Sequence, residues 1–376
     1  MNKNLSIALC VTFLSFCTVY TPQPILPLLA AEFGVSAGAS ALLITVTLVP
    51  LGLAPLVCGY FLQAIPARSM LRVSVFLLLL DQLAFFAASE FWHLLALRFA
   101  QGLLMPVIFT SLMTYCAGMA RPDAVRRTMG LYIAVTVLGG FTGRALSGLI
   151  AQHFDWHWVF VALAAALAPA WLALRALDAD AEVNFQRLDA RSIRRALADP
   201  VCRNSYLVLF GVFMVFTGTL NLLPFRVAEI AASLGPLGVS LLYTGYLIGI
   251  PIAVFSEQLS RAFGGVSRAL LFGLAVNAAG LLAFALPDAA MLFASMLVFA
   301  AGMFFIHAAL SGLVNELATE HKGVVNGLYV SVYYLSGALG SWLPSLLYLQ
   351  WDWNALIAAS MGMLAFTAPF AAKIRA

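Results

Sequence analysis

Charge is what this chain lacks most. Only 10% of its 376 residues are Asp, Glu, Lys or Arg, against roughly a quarter in soluble domains, which excludes an ordinary water-soluble fold. Cysteine and histidine are scarce as well, five of each. Cys10, Cys17, Cys58 and Cys116 fall in apolar stretches and Cys202 in a polar connection, without the spacing of a disulfide framework or a metal site. His93, His153, His157 and His321 scatter over connections instead of gathering at one face, so no metal, no cofactor and no enzyme site is expected. No connection is long enough for a soluble sensor or scaffold domain. The first apolar segment is longer than a signal-peptide core and no convincing cleavage site follows it, so it is expected to stay as a helix.

What the chain has in abundance is apolar length, 63% of its residues being hydrophobic. Crossing a hydrocarbon core takes about 20 such residues in a helix. Twelve stretches meet that need, spans 1 to 12, at about 5–31, 39–61, 72–90, 94–119, 128–152, 157–177, 204–228, 239–260, 268–287, 289–318, 324–349 and 354–373. The expected class is an all-α membrane protein with twelve transmembrane helices.

The few cations give an orientation. Lys3, Arg68, Arg72, Arg126, Arg127, Arg191, Arg194, Arg268, Lys322 and Lys373 typify a set confined to the termini and the even-numbered connections, while odd connections such as SEFWH, FDWHW and QWDWN have none. By the positive-inside rule both termini are expected in the cytoplasm, with the Trp-rich connections at the outer interface. The net charge of +4 then reports topology, and no nucleic-acid partner is implied.

The longest polar stretch, RALDADAEVNFQRLDARSIRRALADPVCRN at 175–204, separates six spans from six. The division expected is an N-terminal six-helix bundle at 1–177, a cytoplasmic linker at 178–203 and a C-terminal bundle at 204–376. The linker reads either as a basic amphipathic helix on the inner leaflet, through Phe185, Leu188, Ile193 and Leu197, or as a solvated loop. An ungapped internal repeat supports the division: GLYIAVTVLGGFTGRALSGLIAQHFDW at 130–156 lies over GLYVSVYYLSGALGSWLPSLLYLQWDW at 327–353, matching Gly140, Gly143, Asp155 and Trp156 with Gly337, Gly340, Asp352 and Trp353. The same offset places Pro27 and Glu32 on Pro224 and Glu229.

RFAQG at 98–102, GLYIAVTVLGGFTGR at 130–144, LPFR at 223–226, GMFFIHAALSGLV at 302–314 and GLYVSVYYLSGALGS at 327–341, in that order, resemble the arabinose-efflux-permease-like branch of the major facilitator superfamily. The resemblance covers nearly the whole chain. It implies two six-helix bundles in one chain, a monomeric secondary transporter of the cytoplasmic (inner) membrane, and most often proton-driven export of a small molecule. One loop departs from the pattern. Between spans 2 and 3 the family usually has G-x-x-x-D-R-x-G-R-R, a charge network that gates one side, whereas this chain has GYFLQAIPAR at 59–68, with Gln63 in place of the acid and Arg68 kept. The equivalent loop, EQLSRAFGG at 257–265, has Glu257 and Arg261 at helical i, i+4 spacing, either a new gating pair or a surface ion pair.

Only Arg98, Arg144 and Arg226 fall outside the cytoplasmic set of cations. A charge at mid-bilayer costs at least about 2.5 kcal/mol and demands protein or water around it. Arg144 therefore reads as an anchor for an anionic substrate or as a structural cap. Its repeat partner is Ser341, so packing alone does not require the charge. Arg98 reads as a snorkelling residue or, by the resemblance, as part of coupling or helix pairing. Arg226 reads as an interfacial or gating residue. Asp81 is the one acid clearly at mid-span, either a proton carrier or a structural partner, with Arg98 as a candidate mate; span 1 has no acid. His307 reads either as a pH-responsive coupling group or as a neutral hydrogen-bonding residue. Gln23, Gln101, Asn221, Tyr329 and Tyr333 complete the candidate substrate-binding set with Arg144 and His307. The function expected is proton-coupled efflux of a small organic molecule by alternating access, with protons as coupling ion. The alternative is uptake or facilitated transport of an organic anion without proton antiport.

Overall fold

The computed structural model describes residues 3–61, 65–119, 125–177, 182–183, 189–317 and 322–374. Nearly all of them are helical. Span 2 is Ala37–Phe61, span 3 Ala67–Ala84, span 4 Phe91–Met119, span 5 Val125–His153 and span 6 His157–Ala173. Span 7 is Pro200–Ile230, span 9 Val266–Ala283, span 10 Ala289–Leu317, span 11 Lys322–Gln350 and span 12 Trp353–Ala372. Among the described residues, eleven helices are long and apolar enough to cross a membrane by length and composition. Span 11 is not among them, because its tyrosines, serines and glycines dilute its apolar average, yet its 29 residues reach about 43 Å, ample for a core about 30 Å thick.

Spans 1 and 8, expected as continuous helices, are both interrupted. Span 1 runs Lys3–Val19, turns, forms a short 3-10 segment at Gln23–Ile25 and resumes as Leu26–Glu32. The cause is the sequence TPQP at 21–24: Pro22 and Pro24 have no N–H to give the carbonyls of Thr18 and Tyr20, so the α-helical ladder cannot pass. Span 8 is helical at Gly235–Leu242, tightens into a 3-10 helix at Tyr243–Ile248 and resumes at Gly249–Ala262. Pro251 there withholds a donor from the Leu247 carbonyl.

Small residues set how closely helices approach. A Cβ built at Gly143 of span 5 would lie 1.9 Å from the Cys17 carbonyl oxygen of span 1, and one at Gly340 of span 11 would lie 2.2 Å from the Met214 carbonyl oxygen of span 7. The two repeats thus use the matched glycine for the same contact, as close helix crossings in lipid require. The buried apolar residues of the first six spans and of the last six form largely separate clusters.

The halves meet from the end of the molecule opposite the chain termini to past the middle of spans 2 and 11, where a Cβ at Gly52 would lie 2.9 Å from the Leu335 backbone nitrogen. Span 2 touches span 11, where a Cβ at Gly38 would lie 2.8 Å from Ser345 Oγ. Span 5 touches span 8 through Gly148 and Ser240 and through Gln152 and Gly235. Span 1 touches span 7, where Gln23 Nε2 donates to Asn221 Oδ1.

Two features lie at the other end. Ile65–Pro66 pairs antiparallel with Glu182–Val183, a two-residue strand contact that an all-helical reading did not anticipate. A linker helix, Ala190–Ala198, is capped by Asp189, whose Oδ1 accepts from Ser192 N at 2.7 Å. The bonds from Ser192 hold that carboxyl below the usual carboxylate range. Ile193 packs against the C-terminal core and Leu197 stays exposed; Phe185 and Leu188 lie outside the described residues, as does Gln63.

Candidate functional site

The break in span 1 leaves carbonyls without helical donors, and Arg98 takes them. Its Nε donates to the Leu43 carbonyl of span 2 at 3.0 Å and its NH1 to Thr18 O at 3.0 Å. NH1 also reaches Gln101 Oε1, and NH2 donates to Val19 O. Gln101 Nε2 in turn donates to Thr18 Oγ1 at 2.6 Å. Arg98 is fully buried, so it does not snorkel: it fastens span 4 to spans 1 and 2 at the break. With its donors spent on carbonyls, it forms no ion pair with Asp81. Asp81 is buried on span 3, where Oδ2 accepts from Gln82 Nε2 at 3.0 Å and Oδ1 has no hydrogen-bond partner.

Beyond the break, Gln23 faces the second half of the molecule. Its Oε1 accepts from Arg144 Nε at 2.7 Å, while its Nε2 donates to Asn221. Arg144, 1% exposed, also donates from NH1 to its own helix at Gly140 O, 2.9 Å. Ser240 Oγ donates to the Arg144 carbonyl at 2.8 Å, fixing span 8 beside it. The 3-10 stretch of span 8 then matters, because residues i and i+3 eclipse in that geometry. Tyr243 and Tyr246 consequently lie on one face, each ring centroid 5.0 Å from the guanidinium carbon, and Tyr20 closes in at 4.4 Å.

Arg144 thus sits between the two halves inside three tyrosine rings and two neutral acceptors. Among the described residues no carboxylate pairs with it, and its NH2 makes no hydrogen bond. A guanidinium offers paired N–H groups suited to carboxylate or phosphate, and here part of that fork is unused. Chemically the arrangement is a fixed, buried cation with an aromatic surround, able to hold an anion.

A second group lies in the C-terminal half. Tyr329 OH meets His307 Nδ1 at 2.9 Å and donates to the His307 carbonyl at 3.1 Å. Nε2 of His307 has no partner among the described residues. The His307 ring lies 4.9 Å from that of Tyr333, which stacks on Phe213 at 3.6 Å. Phe213, Phe216 and Tyr246 continue the aromatic series, 6.2 Å at each step, to the rings around Arg144. Sequence reasoning singled out Arg144, Gln23, Asn221, His307, Tyr329 and Tyr333 but missed Tyr20, Tyr243 and Tyr246. The signals that point to them are the broken helices: TPQP in span 1 and the Gly245, Gly249 and Pro251 punctuation of span 8.

The remaining candidates are peripheral. Arg68 NH2 donates to the Arg175 carbonyl at 3.2 Å at the terminal end. Arg226 NH1 donates to Glu229 Oε2 at 3.0 Å, and Glu229 also accepts from Tyr348, a tie within the C-terminal half. The backbones of Glu257 and Arg261 lie on the last helix of span 8, and their side chains are outside the described residues.

A twelve-span bundle with broken helices meeting a buried charge between two repeats is the build of a membrane transporter. The family model of the Major Facilitator Superfamily matches residues 8–341, and the chain belongs to that superfamily. Among curated proteins it is similar to an uncharacterized transporter of Buchnera aphidicola subsp. Baizongia pistaciae, 24% identical over 351 residues covering 91% of this chain and 86% of the relative. It is similar as well to the inner membrane transport protein YnfM of Escherichia coli K12, 25% identical over 350 residues, 91% of this chain and 83% of the other. Among solved structures, a bacterial homolog of the human lysosomal transporter Spinster, inward-facing and occupied, superposes with a TM-score of 0.76 at 13% identity, over 98% of this chain and 95% of that one. That likeness is one of fold.

Proposed function

We propose that this transporter moves a small organic anion across the cytoplasmic membrane by alternating access, the anion being held by Arg144 with Gln23, Asn221 and the rings of Tyr20, Tyr243 and Tyr246. The observation that carries this reading is the unpaired charge. Burying an arginine in a membrane costs at least about 2.5 kcal/mol, and a protein acid beside it would lower that cost; here neutral groups surround it. An anionic substrate supplies the missing partner. The distribution of Lys and Arg supports both termini lying in the cytoplasm, which puts the end carrying the contacts between spans 5 and 8 and between spans 1 and 7 on the outer side.

Proton-coupled efflux is a second reading, favoured by His307, a titratable side chain whose Nε2 is open and whose ring leads by aromatic contact toward Arg144. The test is a substrate screen on the full chain in proteoliposomes, with carboxylates, organic phosphates, neutral compounds and cations, each with a pH gradient imposed in either direction and with none. Movement of anions alone supports the proposal; transport confined to neutral or cationic compounds refutes it. Dependence on the gradient decides between coupled efflux and facilitated passage.

A further inference from the structure

A second cluster of arginines lies far from the central site in kind and position. At the terminal end of the molecule, spans 3 and 6 leave a cleft of about 300 Å³ lined by Arg72, Trp171 and Arg175. The sequence reading assigned these arginines only to topology. Their geometry is more specific. Trp171 Nε1 donates to the Arg72 carbonyl at 3.0 Å, joining the two helices, and the Arg175 guanidinium lies 5.1 Å from the Trp171 ring, a contact that holds the charge in place. Arg68 donates to the Arg175 carbonyl from the far side. Arg72 Nε is buried and without a hydrogen-bond partner. Among the described residues no carboxylate pairs with Arg72 or Arg175.

The surface beside the cleft says what kind of anion reaches it. Val73, Phe76, Leu77, Leu80 and Leu83 of span 3 are all exposed, and their i, i+3, i+4, i+7 spacing makes one outward apolar stripe. Leu172 of span 6 is exposed as well, and Phe76 lies against Trp171 with ring centroids 5.0 Å apart. The cleft is therefore polar at its floor and continuous with a membrane-facing apolar track, with a tryptophan at the level where such residues mark the interface.

We infer that this cleft binds the phosphate headgroup of an anionic phospholipid, the two guanidinium groups holding the phosphate and an acyl chain lying along the span 3 stripe. Arginine pairs suit a phosphodiester because each presents parallel N–H donors, and basic pockets between helix ends are where anionic headgroups bind. A free phosphate would use the same donors but gain nothing from the stripe. The site is independent of Arg144 and stands or falls separately from the transport reading.

Native mass spectrometry of the delipidated full chain, titrated with dioleoylphosphatidylglycerol or dioleoylphosphatidylcholine, tests it. The unaltered protein is expected to retain phosphatidylglycerol in preference, and Arg72→Gln/Arg175→Gln to weaken that binding about tenfold or more. Arg191→Gln/Arg194→Gln on the linker helix removes the same charge elsewhere and is expected to leave it intact. If the double variant does not fold, Arg175→Gln alone, at an exposed position, is expected to show a smaller loss in the same direction. Equal retention by the unaltered protein and by each cleft variant overturns the site. Displacement of the lipid by millimolar inorganic phosphate overturns the lipid assignment, because the stripe would then contribute nothing.

Discussion

Replacing Arg98 by alanine removes its hydrogen bonds to the Thr18 and Val19 carbonyls at the break, while Leu43 O keeps the hydroxyl of Thr47, and each buried acceptor left unsatisfied costs about 1 to 3 kcal/mol. Thermal unfolding in detergent should register this as a large fall in melting temperature, with partial recovery in Arg98→Lys; an unchanged melting temperature would remove Arg98 from its place as the clasp of span 1. His307 and Asp81 make the complementary case. If either is the obligatory proton carrier, His307→Ala or Asp81→Asn should abolish gradient-driven transport while substrate-for-substrate exchange persists, and full gradient-driven transport in both variants dismisses the pair. At this scale the sequence made Arg144 visible, because a permanent charge amid apolar residues needs a reason. It did not make the tyrosines visible: Tyr20 and Tyr246 are unremarkable aromatics until a turn in one helix and a 3-10 stretch in another bring them to the guanidinium. The carbonyl acceptors that Arg98 takes were hidden for a related reason, since the prolines that break span 1 act on a different helix from Arg98.

Among the elements, glycine positions separate contact from mere composition. Gly143→Ala and Gly340→Ala each drive a methyl group into a neighbouring backbone carbonyl, 1.9 Å and 2.2 Å away, and overpacking of that kind costs about 1 to 3 kcal/mol. Gly130→Ala and Gly312→Ala meet nothing within 4 Å and, lying in helices, should be neutral or stabilising by up to about 1 kcal/mol. Melting temperatures of the four variants check the contrast, and equal effects would mean the glycines do not set helix spacing. The number and approximate limits of the spans were legible, because each must carry its own membrane-length apolar run. Their internal breaks were not, although Pro22, Pro24 and Pro251 were in plain view. Helices in membranes often tolerate proline, so the residue alone does not distinguish a kink from a full interruption; what makes the difference in span 1 is two prolines two residues apart and an arginine placed to accept the consequence. The strand contact between Ile65–Pro66 and Glu182–Val183 has too few residues to show any periodicity.

For the whole molecule, alternating access requires the contacts at the end opposite the termini to open. Cysteines at Gly38 and Ser345, which adjoin across spans 2 and 11, should on oxidation stop transport and on reduction restore it; undiminished transport by the oxidised protein would mean that this seam need not part. Orientation has its own check: single cysteines at Ala179 and Glu90 in a cysteine-free background should label from the cytoplasm and from outside respectively, and the reverse pattern overturns the assignment. The superfamily was legible because motifs followed in order on spans 4, 5, 7, 10 and 11, whereas the direction of transport leaves no such mark: alternating access works both ways, and the driving gradient lies outside the chain. The account turns on one charge, and its most direct test is a binding titration of an anion identified by the proteoliposome screen against purified, folded protein. Arg144→Lys is predicted to lose about 1 to 3 kcal/mol of affinity, the range for a charge-assisted hydrogen bond, and Arg144→Ala to bind too weakly to titrate. Unchanged affinity in Arg144→Ala would contradict the account and leave Arg144 as a strut between the two halves.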